Sequence, residues 1–282
     1  MNLSEPKSHN HLTANLSYIE TSVAPKIRVF PKKFGKTERV PEKREKVNIY
    51  DCRLMRNNLD LDIEGFELHQ IPTEFNDFYN SEEVIRRYYP EVESEMEQRL
   101  SAFKVIVFDH NVRCQVKADS GQDGVREPVD GAHNDYTLSS GPRRIKEILE
   151  DNGLSTLLSK RCALVNFWRP IRGPVEDFPL AICDAQTTTL ADFIPTTIEH
   201  YQESDLTSPS LVGEIYSFKH NPNHRWFYAP KMTPDEVILL KCFDSGTNGQ
   251  ASFTGHTGFL NPNLPKKFTP RESIEARTLV VY

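Results

Sequence analysis

The chain has 282 residues, 38% hydrophobic and 26% charged, with a formal net charge of −6. That length suits one large domain with its own core, and single β-barrels often reach this size. The interspersed, slightly acidic charge argues against a nucleic-acid protein, which would show a basic patch. No apolar run reaches the length of a membrane span.

Met1 to Glu20 has no cationic stretch followed by an apolar core, so no secretory leader is expected. The first 46 residues are polar and rich in Pro, Lys and Arg. They are expected to form a polar N-terminal extension that wraps the surface, with residues 47–282 as one domain. Val47 to Tyr50 reads as a short strand. Ser81-Glu82-Glu83 opens a helix, with a Ser cap and acids in the first turn. Pro90 should kink or divide that helix before it ends near Phe103. Val105 to Phe108 is a β-branched run and a buried strand, and 109–132 reads as a loop rich in Gly, Asp and Val. Pro142 sits in the first turn of a helix that ends near Leu158.

From Ala163 onward the pattern is β. Strands are expected at Ala163–Phe167, Leu180–Asp184, Glu214–Phe218, Arg225–Tyr228, Val237–Phe243, Ser252–Thr254 and Ile274–Tyr282, separated by Pro, Gly and Asn clusters. The fold class is therefore mainly β with flanking helices around a double-stranded β-helix (jelly-roll) core. The five cysteines, Cys52, Cys114, Cys162, Cys183 and Cys242, are scattered and free of CxxC spacing. They read as reduced, buried thiols of a cytoplasmic protein rather than a zinc-thiolate site.

Three fragments carry the chemistry. In a strand, residues two apart share a face, so His133 and Asp135 can bind one metal while Asn134 turns away. A distal histidine completes a set of two imidazoles and one carboxylate, which occupies one face of a ferrous ion and leaves positions open for a co-substrate and oxygen. His256 leads for that role and His224 is its rival; His200 and His220 read as surface residues. By itself an HxD triplet is as easily a turn with a capping Asp. Beyond His256, Arg271 and Ser273 can grip a distal carboxylate by an ion pair and a hydroxyl bond. Arg277 has the same strand parity and is the alternative anchor. Each Arg could instead form a surface salt bridge with Glu272 or Glu275. Tyr136, Asn166, Trp168, Arg169, His224 and Trp226 are candidate pocket residues, although Trp168 is more often core than pocket wall.

The fragments His133-Asn134-Asp135-Tyr136, Asn166-Phe167-Trp168-Arg169-Pro170, Pro179 to Asp184, Asn223-His224-Arg225-Trp226, Met232 to Val237, Phe243-Asp244-Ser245, His256-Thr257 and Arg271 to Arg277 occur in one order. With Asp51-Cys52-Arg53 and Gly65 to Leu68, the set resembles the fungal hydroxylase/desaturase family that includes gibberellin desaturase, the aspergillic-acid hydroxylase and a cephamycin methoxylation protein. The resemblance runs from about Val47 to Tyr282. It implies an Fe(II)- and 2-oxoglutarate-dependent oxygenase that hydroxylates, desaturates or cyclises a small molecule in secondary metabolism, with O2 as co-substrate. Neither nucleic acid nor membrane is an expected partner, and a homodimer is possible. The alternative is a non-catalytic, accessory jelly-roll partner of another biosynthetic enzyme.

Overall fold

The computed structural model describes residues 11–20, 25–31, 37–246 and 248–282. Its strands are β1 (His11–Ile19), β2 (Lys26–Val29), β3 (Glu42–Asp51), β4 (Phe66–Gln70), β5 (Lys104–Cys114), β6 (Val125–Arg126), β7 (His133–Asn134), β8 (Cys162–Arg172), β9 (Leu180–Cys183), β10 (Phe193–His200), β11 (Leu211–Phe218), β12 (Trp226–Tyr228), β13 (Glu236–Asp244), β14 (His256–Gly258) and β15 (Glu272–Val281). They form a nine-stranded sheet in the order β1-β3-β12-β9-β14-β7-β11-β10-β2 and a six-stranded sheet in the order β4-β13-β8-β15-β5-β6. These two curled sheets face one another as a jelly roll.

Alternation fixes the faces of the smaller sheet. Val105, Val107 and Val112 on β5, Val165 and Phe167 on β8, Val237 and Leu239 on β13, and Ile274 and Ala276 on β15 share one cluster with helical residues Val84, Tyr88, Val92 and Met96. The opposite parity, Trp168, Ile238, Leu240 and Cys242, packs between the sheets with Leu180, Ile182 and Phe227 of the larger one. Each fully buried aliphatic or aromatic side chain contributes about 2 kcal/mol of transfer free energy, so both faces of the smaller sheet are held in register.

The covering helix is made of α1 (Ser81–Glu83), a π-helical turn (Val84–Tyr88) and α2 (Tyr89–Arg99). Asn80, not Ser81, caps it, accepting from the Glu83 N–H at 3.3 Å. Pro90 lies in the first turn of α2, and the π turn precedes it. Proline has no N–H for the helical ladder, and the wider turn absorbs that loss without ending the helix. Two shorter helices follow, α3 (Gln115–Asp119) and α4 (Ser140–Asp151). Ile145, Ile148 and Leu149 of α4 close one end of the barrel against Ile106, Leu164, Phe243 and Leu279.

Three expectations need correction. The stretch before residue 47 is not a loose wrapping segment where it is described. β1 pairs with β3 from His11↔Tyr50 to Ile19↔Glu42, and β3 itself runs through the 46/47 boundary. Leu12, Ala14, Leu16 and Tyr18 are buried on alternate positions, a period-two signal diluted by the charges around it. The presumed loop 109–132 begins as strand, because β5 continues to Cys114. The expected strand at Ser252–Thr254 forms instead at His256–Gly258.

Candidate metal and co-substrate site

The site is built on the larger sheet, where β7 and β14 pair through a single register position, His133↔His256. Cross-strand partners share a face, and the two imidazole rings stand 4.4 Å apart, centre to centre. Asp135 follows β7. Its Oδ1 lies 3.4 Å from His133 Nε2 and 3.9 Å from His256 Nε2, and ligand atoms of all three residues fall within 4.8 Å of one another. Asn134 is turned away as its parity requires, fully buried, and donates to the Cys242 carbonyl at 2.9 Å. That bond ties β7 to the smaller sheet.

The residues around this triad prepare it for a cation. His133 Nδ1 donates to the Gly131 carbonyl at 2.8 Å, which fixes the tautomer and leaves Nε2 with a free lone pair. Burial, and then the charge of His133, pull the His256 imidazolium down to about 3, so that ring stays neutral at ordinary pH. Burial would raise the Asp135 carboxyl, but Arg277, His133 and His256 outweigh it and hold the group well below the usual carboxylate range. Asn166 donates to Asp135 Oδ2 at 2.9 Å. The His256 Nδ1 atom is buried with no hydrogen-bond partner among the described residues. Gly255 precedes it because a Cβ there would stand 2.8 Å from the Phe218 ring. The Nε2 atoms of His133 and His256 and the ionised Asp135 carboxylate are the donors a ferrous ion takes from two histidines and one acid.

The two arginine candidates have opposite surroundings. Arg277 is surrounded by acids: Asp109 at 2.9 Å, Asp135 at 3.4 Å and Glu275 at 3.5 Å. Arg271 is buried; its Nε donates to Ser273 Oγ at 3.1 Å and one Nη to the Phe178 carbonyl at 2.9 Å. No carboxylate lies within ion-pair reach of its guanidinium among the described residues, and it lies over the Trp168 ring at 5.2 Å. Burial, then the nearby charge of Arg113, pull it down to about 9. A guanidinium held this way lacks an anion, whereas Arg277 already has one.

The structure separates the candidate pocket residues. Asn166 touches Asp135, Trp168 supports Arg271, and half-buried Tyr136 lies near Asp135 and Arg277. Arg169 faces the other way, between Tyr88 and Phe167 beneath the helix, with a bond to the Pro234 carbonyl. Neighbours in a strand point to opposite faces, so Trp168 and Arg169 cannot both line the interior. Trp226 is core, packed edge-on against Tyr18 and Phe218. His224 stacks on Phe218 at 4.6 Å with Nε2 3.3 Å from Asp192, away from the triad. Asp109, Asn111 and Arg113 of β5 are absent from the sequence-derived candidates. Their signal was the polar alternation of β5 against buried Val112 and Cys114, hidden because the segment was read as a loop.

With this geometry in hand, comparison with known proteins is decisive. A family model described as "YDMC: Oxidoreductase/YMDC permease-like domain" matches residues 16–281. An alpha-ketoglutarate-dependent dioxygenase from a fungal species is 31% identical over 242 residues, spanning 84% of this chain and 83% of that protein. The chain belongs to the fungal alpha-ketoglutarate-dependent dioxygenase family. It is an oxidoreductase that depends on iron and 2-oxoglutarate (alpha-ketoglutarate). The hydroxylase/desaturase efuI of Hormonema carpetanum is 29% identical over 255 residues, 84% of this dioxygenase and 83% of its own length. The solved iron and alpha-ketoglutarate-dependent endoperoxidase NvfI shares the fold, with a TM-score of 0.83 over 97% of this chain and 99% of that one at 23% identity. Among the described residues, no helix of the dioxygenase is long and apolar enough to cross a membrane.

Proposed function

We propose that His133, Asp135 and His256 hold the ferrous ion, that Arg271 and Ser273 hold the far carboxylate of 2-oxoglutarate, and that the chain oxidises a C–H bond of a small organic intermediate in secondary metabolism. Hydroxylation, desaturation and ring closure are the outcomes open to such a site. The observation that carries this reading is the contrast between an acid-saturated Arg277 and a buried Arg271 with no counter-ion.

Bound iron with 2-oxoglutarate would supply the oxidising power for C–H cleavage by O2. The chain supplies the rest. His133 is oriented through Gly131, Asp135 is kept ionised by Arg277 and Asn166, and His256 is kept neutral by burial. Trp168, Ile238 and Leu240 line the interior with apolar surface, which keeps the reacting centre dry. The cysteines are free and buried, which supports a reducing, cytoplasmic setting. The net charge of −6 supports a small-molecule partner rather than nucleic acid.

Anaerobic titration of Fe(II) into the apoprotein with 2-oxoglutarate present tests the assignment. A weak visible metal-to-ligand charge-transfer band is expected in the native chain, greatly weakened in Arg271→Gln and absent in Asp135→Ala. A band that survives Arg271→Gln and vanishes in Arg277→Gln moves the anchor to Arg277. A folded native chain that gives no band refutes the metal and co-substrate assignment.

A further inference from the structure

The inward face of β5 carries polar side chains for which the chemistry above has no use. Register sets Asp109 opposite Arg277, Asn111 opposite Glu275 and Arg113 opposite Ser273. Opposed residues on antiparallel strands share a face, with Cβ atoms about 5 Å apart. Arg113 and Asn111 therefore line the same interior wall as the proposed co-substrate anchor. Asp109 is engaged by Arg277. Asn111 is 4% exposed, and its side-chain Nδ2 has no acceptor among the described residues. Arg113 is half-buried; one Nη donates to the Glu127 carbonyl at 2.8 Å, and no carboxylate among the described residues pairs with it.

Arg113 lies within electrostatic range of both halves of the site. Its charge lowers the proton affinity of His256 and of Arg271. Its own guanidinium is pulled down by burial, while Glu275 and Asp135 act in the opposite direction. Contact pairing leaves Arg113 with no carboxylate in ion-pair reach among the described residues. Arg277 has three carboxylates around it. Arg271 receives the co-substrate's far carboxylate on the reading above, and Asp135 serves the metal. Arg113, nearer to solvent than Arg271, keeps a guanidinium fork that no carboxylate contacts, beside an amide donor with no acceptor, among the described residues. A half-desolvated cation and a buried idle donor are both costly until a ligand oxygen meets them.

We propose that Arg113 and Asn111 receive a carboxylate of the organic substrate, so that this dioxygenase oxidises an organic acid. The planar fork of Arg113 matches a carboxylate bidentately. Partly buried Tyr136, beside Asp135 and Arg277, meets the carbon skeleton. Exposed Arg126, opposite Arg113 in the parallel β5–β6 register, extends the positive charge outward from that position. In a chain of net charge −6, such a local patch draws anions toward the site. The inference rests on the iron and 2-oxoglutarate assignments above.

The test uses the full-length protein loaded anaerobically with Fe(II) and 2-oxoglutarate, titrated with 1-naphthoic acid and abietic acid and with the primary amide of each. Perturbation of the charge-transfer band and the rise in Tm are the readouts. The native protein should bind an acid at least about tenfold more tightly than its amide. In Arg113→Gln that ratio should fall close to one, while 2-oxoglutarate affinity changes less than about threefold. Arg113→Lys should keep an intermediate ratio, and it replaces the glutamine variant if that one does not fold. Equal binding of acid and amide, or no binding of either, overturns the proposal. So does a tenfold loss of 2-oxoglutarate affinity in Arg113→Gln, which would assign Arg113 to the co-substrate. If the iron and 2-oxoglutarate reading itself fails, no charge-transfer band forms in the native protein before any acid is added.

Discussion

Two groups of buried charge in this molecule have opposite character. Asp62, Arg161, Lys241 and Asp244 form a closed set of two cations and two anions. Lys241 Nζ lies 2.8 Å from Asp244 and is also bonded to Asp62, and Arg161 reaches both acids at 2.5 and 2.6 Å. Arg161 also covers the ring of the C-terminal Tyr282 at 4.3 Å. Every charge in that set has a partner within the chain, so its role is to hold strands together. The interior of the barrel is open by contrast. Two histidines and a carboxylate converge there as ligands for a cation, and no described carboxylate contacts Arg271 or Arg113. A closed network has no valence left for a ligand, whereas an open one costs folding energy until a ligand supplies the missing charge.

The sharpest way to break the comparison is at the triad. Asp135→Ala or His133→Ala is expected to reduce turnover at least a hundredfold, taking roughly the upper end seen for disrupted metal sites as a floor, with the fold retained. Succinate release and a melting curve together check this. The closed set should respond in the opposite way. Lys241→Met leaves Asp62 and Asp244 short of a buried cation and is expected to cost about 3–5 kcal/mol of stability. At this chain length that lowers Tm by roughly 10 °C, while iron binding by the remaining folded protein is unchanged.

The arginines sharpen the contrast further. Arg271→Gln should weaken 2-oxoglutarate binding by about thirtyfold to a hundredfold, the cost of removing one partner of a desolvated charge pair. Arg277→Gln should instead weaken Fe(II) about tenfold, because its guanidinium supports Asp135. Titration following the charge-transfer band separates these effects.

Acid should damage the open site without any substitution. His256 in the folded apoprotein stays neutral down to about pH 3, whereas in the unfolded chain it takes a proton near its ordinary 6.5. The unfolded state therefore binds more protons between those values. The stability present above pH 6.5 should be lost as pH falls toward 3, on the order of 1–3 kcal/mol. His256→Gln should flatten that part of the stability–pH curve, measured by urea unfolding. The smallest effect is expected at Arg169→Met. This arginine carries a buried Nε and Nη without partners among the described residues, so an apolar replacement should shift stability by no more than about 1 kcal/mol.

The sequence by itself determined the chemistry that depends on local spacing. The HxD triplet, the histidine near the penultimate strand, the R-x-S pair, the alternating strands and the jelly-roll class can be read from residue type and period, because a strand places alternate residues on one face whatever surrounds it. Only the tertiary structure decided which face looks inward, and with it which side chains lie beside the triad. Arg277 shares parity with Arg271, yet Asp109 on the next strand claims it. Trp226 and His224 lie against Tyr18 and Phe218, an apolar layer completed by a β1 strand whose alternation is masked by surface charge. Register shifts opposite Arg277/Thr278 and at Lys241/Phe243 change the parity along β5 and β13, which no single-strand reading can anticipate. Arg113 and Asn111 acquired a place in the interior only once β5 was seen to pair with β15 along its whole length, since partnership across a sheet is a long-range property that the local pattern does not contain.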